Sequence, residues 1–198
     1  MLESRHSEMT ALYNELLIGV TNFYRDPLVW ETLQKKHLPN LLGSGSKNTV
    51  RMWVAGCSTG EEAYTLAMVC KDWMEETGER VDVKIFATDI DRESVAKAGQ
   101  GIYPDAVAAD LTPRLLTKYF SRQGEAFQIV RTIREMVVFA QHNLVTDPPF
   151  TNLDLISCRN LLIYLQPILQ QKVIDSFNFA LNNEGLLLLG TSETTGDM

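Results

Sequence analysis

The apolar positions alternate between two periods along this chain. Met9, Leu12, Tyr13, Leu16 and Leu17 recur at helical spacing and predict a helix over 1–18. Asp26-Pro27 then reads as an N-cap followed by a first-turn proline, opening a second helix that runs to about Lys36. Met52 to Ala55 is a short apolar run that stops at a glycine, which is the pattern of a buried strand. Gly56 to Gly60 is a turn of small residues. From Glu61 to Met74 the apolar residues Ala63, Leu66, Ala67, Cys70 and Met74 return to helical spacing. Further on, Val81–Thr88, Val137–Ala140, Leu153–Cys158 and Leu186–Leu189 read as strands, and 92–98, 113–120 and 167–181 as helices. Ala126–Arg131 and Glu135–Ala140 alternate enough to predict an antiparallel pair around Thr132–Arg134.

Strands separated by helices predict an α/β fold: a Rossmann-like, doubly wound parallel sheet, with a small antiparallel β appendage at about 112–136. The expected organisation is an N-terminal helical and linker segment over 1–48, then the main domain over 49–198. Gly43, Ser44, Gly45 and Ser46 mark the connector.

The strand–glycine turn–helix unit at 52–74 is the nucleoside-binding corner of such a sheet. It carries two glycines, Gly56 and Gly60, and lacks the Lys-Ser/Thr of a P-loop. Glu61 and Glu62 open the helix, where a pyrophosphate needs an unopposed positive end. Acids at that position suit a cationic ligand without phosphate, and S-adenosylmethionine has that character. The same glutamates are equally read as stabilisers of the helix dipole. Asp89, 29 positions beyond Gly60, ends the second strand where a ribose-binding acid belongs; it can instead cap the helix that follows. The remaining strand ends place Gln141-His142-Asn143, Arg159-Asn160 and Ser192-Glu193 on the same predicted rim. Asn143 can read a polar edge of the cofactor, and Arg159 offers a fork to a carboxylate.

Composition narrows the function classes. The 198 residues carry a formal net charge of −7, which argues against a nucleic-acid binder. No run is long and apolar enough to span a membrane, and the polar start is unlike a signal peptide. The three cysteines, Cys57, Cys70 and Cys158, have no zinc spacing; as reduced thiols they point to a cytoplasmic protein without a metal centre. Arg114, Lys118, Arg122, Arg131 and Arg134 make the appendage locally basic. They form either a solvated face or a landing site for an acidic partner.

Several ordered motifs together carry a resemblance: Thr21-Asn-Phe-Tyr-Arg25-Asp, Gly56-Cys-Ser-Thr-Gly-Glu-Glu-Ala-Tyr64, Ala87-Thr-Asp89-Ile-Asp91, Gly101-Ile-Tyr103, Asn143-Leu144, Asp154-Leu-Ile-Ser-Cys-Arg159-Asn-Leu-Leu-Ile-Tyr164 and Gly190-Thr-Ser-Glu193. They resemble the chemoreceptor glutamate methyltransferases of the CheR family, nearest in wording to the methyltransferase domains of CheB/CheR methylesterase–methyltransferase fusions. The resemblance implies an S-adenosylmethionine-dependent enzyme that forms methyl esters on receptor glutamates, adjusting chemotactic signalling, with S-adenosylhomocysteine as product. It implies that Thr21, Arg25, Glu62, Asp89, Asn143, Leu144, Cys158 and Arg159 touch the cofactor, alongside the loop glycines Gly56 and Gly60. It also implies that Arg159, Tyr164 and Arg25 stand nearest the transferred methyl, and that the β appendage docks the receptor or a related partner. Gly19 stands where the family can have an asparagine ligand. Most of the family's helical N-terminal domain and its final strands have no counterpart here, the pattern of an excised or abbreviated member.

Two other readings are carried forward. Asp147-Pro-Pro-Phe150 is similar to the Asp-Pro-Pro-Tyr/Phe motif of amino-methylating enzymes, although there the motif directly follows the fourth strand. A cofactor-binding module that senses or docks without transferring a methyl is the other. A hydroxyl-methylating enzyme needs a base, for which His142 is the only candidate.

Overall fold

Five parallel strands form the centre of the protein, in the order Val137–Gln141, Asp82–Asp89, Thr49–Ala55, Leu153–Cys158 and Leu181–Leu189. The structure, a computed structural model, describes residues 21–43 and 49–193; the helix expected over 1–18, Gly19 and most of the glycine/serine connector lie outside them. In chain order the elements begin with α1 (Pro27–Thr32) and α2 (Leu38–Leu42), joined by a wider π turn at Leu33–His37. Then come β1 (Thr49–Ala55), α3 (Glu61–Thr77), β2 (Asp82–Asp89), α4 (Arg92–Gln100) and β3 (Ile102–Pro104). The appendage follows with α5 (Pro113–Tyr119), β4 (Phe120–Gln123), β5 (Ala126–Ile129) and the short turn of helix α6 (Arg131–Arg134). The chain closes with β6 (Val137–Gln141), β7 (Leu153–Cys158), α7 (Pro167–Ala180) and β8 (Leu181–Leu189).

The sheet is buried on both faces, and β1 shows how. Val50, Met52 and Val54 enter one apolar cluster with α3, while Trp53 and Ala55 enter a second with Val173, Ile174 and Phe177 of α7. The period-2 geometry of a strand sends alternate side chains to opposite layers, so a continuous apolar run is required. Helix α3 is enclosed too: Ala63 through Cys70 are all buried, because the sheet lies on one side and Trp30, Leu33 and the appendage on the other. From β1 the chain winds outward to β2 and β6, then returns to place β7 on the other flank of β1. The crevice between β1 and β7 is therefore the switch point, where ligands of open parallel sheets lie beyond the carboxyl ends.

The expected antiparallel pair at 126–140 is not formed. β5 pairs antiparallel with β4 and with β3, making a three-stranded sheet that includes Ile102–Pro104. Arg131–Arg134 is a helical turn pinned by the fully buried Ile133, and β6 joins the main sheet parallel to β2. Alternation identified a strand at 137–140 but not its partner, since register and sheet membership depend on packing.

The basic face expected of the appendage is also altered by its neighbours. Arg114 and Lys118 both bond the buried Asp72 of α3, at 2.7 and 2.6 Å, together with the Tyr119 hydroxyl at 2.6 Å. Lys118 also meets Glu75, Arg122 meets Asp105 and Arg131 meets Glu135. Arg114 and Lys118 thus attach the appendage to α3, while Arg122 and Arg131 pair within it and stay largely exposed. Among the described residues, no helix is long and apolar enough to cross a membrane.

Burial alone would raise the pKa of Asp72, but the hydrogen bonds from Arg114, Lys118 and Tyr119 outweigh it and pull the pKa from 3.8 to about 2. A carboxyl lowered in the folded state contributes stability above its unfolded pKa and loses it as pH falls through its folded pKa. The difference in unfolding free energy between the protein and Asp72→Asn is expected to be on the order of 2 kcal/mol and constant above about pH 5. It should shrink towards zero as pH approaches 2, as read by urea titrations across that range.

Candidate functional site

The turn after β1 is built by backbone conformations that favour glycine. Gly56 has φ +76° and Gly60 φ +96°, and a Cβ on Gly60 would lie 2.9 Å from that of Ala98. The amides of Gly56 and Cys57 both donate to the Thr88 carbonyl, at 2.8 and 2.9 Å, which docks the turn onto the end of β2. Asp89 completes the join. One carboxylate oxygen accepts from the Ser58 amide at 2.7 Å and the other from the Asp91 amide at 3.0 Å. Asp89 is thus at the rim as expected; the cap of α4 is instead Asp91, whose side chain accepts from the Glu93 and Ser94 amides.

The two acids that open α3 face different ways. Glu61 is bonded by the Thr59 hydroxyl at 2.7 Å, and burial raises its pKa. Glu62 points across the switch-point crevice to β7, where it accepts from the Ser157 hydroxyl at 2.7 Å and from Arg159 at 3.3 Å. Burial raises the Glu62 pKa, and the Arg159 guanidinium opposes that rise.

Arg159 joins the sheet to the N-terminal segment. Its side chain has no exposed surface. Nη2 donates to Asp26 at 2.6 Å and to the Arg25 carbonyl at 3.1 Å, while the guanidinium lies 5.2 Å from the Trp30 ring centroid. Trp30 donates from its indole nitrogen to the same Arg25 carbonyl at 2.8 Å. Asp26 precedes α1 as expected, but it does not cap it: its φ is +56°, its side chain makes no cap bond, and its carboxylate turns to Arg159. The reason is charge, because a buried guanidinium demands an anion more strongly than an exposed amide demands a cap. Arg25 itself is half-buried and lines a groove of about 610 Å³ with Asn22–Pro27, Ala109 and Asp110.

The other expected site residues divide into rim and core. Thr21 is half-buried at the start of this segment. Asn143 follows β6, its side-chain oxygen taken by the Val145 amide and its own amide by Asp147. Leu144 packs against the α7-side cluster. Cys158 and Cys57 are buried thiols whose pKa values burial pushes up. Tyr164 is 60% exposed on a 3-10 turn, Leu162–Tyr164. His142 is tied to the Pro148 carbonyl at 3.1 Å, and its ring stacks on Phe150. Phe150 also stacks on Phe86 and meets the edge of Trp53, so Asp147–Phe150 braces the sheet ahead of β7.

In the sequence Glu193 is a polar strand end that closes Gly190-Thr-Ser-Glu193. It accepts four backbone N–H bonds, from Gly190, Asn160, Leu161 and Leu162, at 2.7–2.9 Å. The carboxylate thereby shapes the loop that connects Arg159 to Tyr164. A Cβ on Gly190 would fall 2.6 Å from it, which explains the glycine three positions earlier. The available signal was Gly190-Thr-Ser-Glu193 itself, but its target lies some thirty positions back in the chain and only the parallel pairing of β7 with β8 brings them together.

A glycine turn after β1, acids at the head of α3 and at the end of β2, and a buried cation at the end of β7 meet at the switch point, a setting whose charges suit a cationic nucleoside better than a phosphate. The fold is that of the Rossmann-like S-adenosylmethionine-dependent methyltransferases. The DhpI–SAH complex matches it with a TM-score of 0.52 over 96% of this chain and 65% of that one, at 15% identity. The family model for the CheR methyltransferase SAM-binding domain matches residues 19–198, and the chain belongs to that family. S-adenosylmethionine is accordingly its cofactor. The chemotaxis protein methyltransferase of Escherichia coli K12 is 37% identical over 98% of this chain and 68% of its own length. That of Borreliella burgdorferi is 35% identical over 94% and 68%. An uncharacterized 104.1 kDa protein from Rhodobacter capsulatus is 41% identical over 98% of this chain. The chain spans about two thirds of those chemotaxis methyltransferases and 20% of the Rhodobacter protein.

Removing the Glu193 carboxylate strands four amides. Glu193→Ala is expected to lower stability by roughly 3 kcal/mol and Glu193→Gln, which keeps one acceptor oxygen, by less. Urea unfolding measures the loss, and hydrogen exchange should place it at Asn160–Leu162.

Proposed function

We propose that this chain transfers the methyl group of S-adenosylmethionine to glutamate side-chain carboxylates of a chemoreceptor, giving methyl esters that adjust chemotactic signalling. The observation that carries this reading is Arg159, buried at the end of β7 and bonded to the Arg25 carbonyl and to Asp26, in the segment whose Arg25 lines the groove. Family membership supports it as well.

When bound, the cofactor supplies an electrophilic methyl carbon on a positively charged sulfur. Asp89, Gly56, Gly60 and Glu62 would hold it, with Asn143, Leu144, Cys158 and Thr21 around it. The acid-rich setting fits a sulfonium and an ammonium group. A glutamate acceptor is ionised at neutral pH, so its carboxylate would accept the methyl without help from a base on this chain. No proton moves and no base is needed, in keeping with a rim whose histidine is tied to Pro148. Rate then comes from orientation and exclusion of water. Arg25 orients the incoming carboxylate, Arg159 acts from behind it, and Tyr164 borders the path of the methyl. Cytoplasmic residence is part of this reading, supported by three free cysteines.

The direct test is transfer of labelled methyl from S-adenosylmethionine to purified chemoreceptor cytoplasmic domains, counted as base-labile methanol. Arg25→Ala is expected to lower kcat at least ~10-fold, with thermal stability retained. Tight S-adenosylhomocysteine binding without any transfer would assign the chain to a docking or sensing module instead. Asp89→Ala should weaken S-adenosylhomocysteine binding by about 10-fold or more in calorimetry, through loss of a charge-assisted hydrogen bond and of the Ser58 clasp.

A further inference from the structure

The backbone on both sides of Arg25 is held in the left-handed region, with φ +52° at Tyr24 and +56° at Asp26. For a tyrosine this is a true outlier, and an aspartate adopts it more readily but still at a cost. Such residues persist only where their surroundings overdetermine them. Here the surroundings are specific. The Tyr24 amide donates to the Thr65 hydroxyl at 3.1 Å. The Arg25 carbonyl receives two donors, Arg159 and the Trp30 indole. The Asp26 carboxylate takes the shortest of the Arg159 bonds, at 2.6 Å.

We propose that Asp26 is a positioning residue for methyl transfer: through Arg159 its carboxylate holds the Tyr24–Asp26 turn in its unfavourable conformation and so fixes Arg25 against the groove. This rests on the reading given under Proposed function. A helix cap is excluded as its purpose, because its side chain makes no cap bond. It is not an ordinary surface ion pair, because its partner has no exposed surface while Asp26 retains 40% of its own. Exposed pairs contribute little, whereas a buried charge stripped of one partner is costly. Glu62 balances the same guanidinium from the sheet side, so the Asp26 contact is the half that belongs to the Arg25 segment. Arg159 is enclosed, so its influence on an acceptor passes through Asp26 and Arg25.

Three substitutions separate the carboxylate from the strain. Asp26→Asn keeps an acceptor oxygen and tolerates the left-handed conformation but gives up the charge; its kcat should fall between that of the unsubstituted protein and that of Asp26→Ala. Asp26→Ala removes the contact and should lower kcat about 10-fold or more, with KM for S-adenosylmethionine changed less than about 3-fold. Asp26→Gly relieves the strain yet lacks the carboxylate, and should fall with alanine rather than recover. The Trp30 indole N–H resonance, assigned through Trp30→Phe, gives a readout independent of turnover. It should move in the alanine and glycine variants and move less in the asparagine variant. Alanine and glycine variants with unaltered kcat and an unmoved indole resonance would overturn the proposal. If the unsubstituted protein esterifies no receptor domain, the functional reading fails separately, and the indole resonance still decides whether Asp26 holds the turn.

Discussion

A guanidinium with no exposed surface is the constraint on which the site depends. Arg159 is placed by β7, and burying its charge is tolerable only if anions and oriented carbonyls meet it. Glu62 arrives from α3, Asp26 and the Arg25 carbonyl arrive from the segment before α1, and the Trp30 ring covers one face. Three parts of the chain that are far apart in sequence are thereby locked at the crevice between β1 and β7. The same arrangement accounts for a glutamate buried near the head of a helix: burial raises the pKa of Glu62, but the neighbouring cation favours its ionised form.

Carboxylates do comparable work along the rest of the rim. Asp89 draws the glycine turn onto β2 through the Ser58 amide, and Glu193 gathers four amides around the loop leading to Tyr164. Charge-assisted bonds to backbone N–H groups are short and directional, and they suit loops that no regular ladder supports. The outcome is an acid-lined edge interrupted by two arginines.

The appendage follows a similar economy of charge. Its arginines and lysine read as a solvated or docking face, yet Asp72 is buried on α3 beneath Arg114, Lys118 and Tyr119. Charge counted along a sequence says nothing about which side chain of the opposite sign has been folded against it. Phe23, Tyr103, Phe120 and Ile129 extend one apolar cluster from α3 into the small sheet, so packing joins the two sheets as firmly as charge does.

The sequence by itself determined what depends on neighbours along the chain. The apolar run ending at Gly56, the helical spacing from Glu61, the acid at Asp89 and the short run Leu153–Cys158 fixed an α/β sheet with a nucleoside corner, because strand and helix periods and turn glycines are local properties. It also set the Gly56–Gly60 turn, Asp89, Asn143 and Arg159 on one rim, since parallel strands bring their ends together. Only tertiary structure decided that β6 belongs to the main sheet rather than to a hairpin with β5, that Asp26 serves a buried arginine rather than its own helix, and that Glu193 binds a loop thirty positions earlier. Each of those outcomes turns on burial. Once water is excluded, a charge or an amide takes the partner that packing brings to it, and a one-dimensional pattern does not contain that distance.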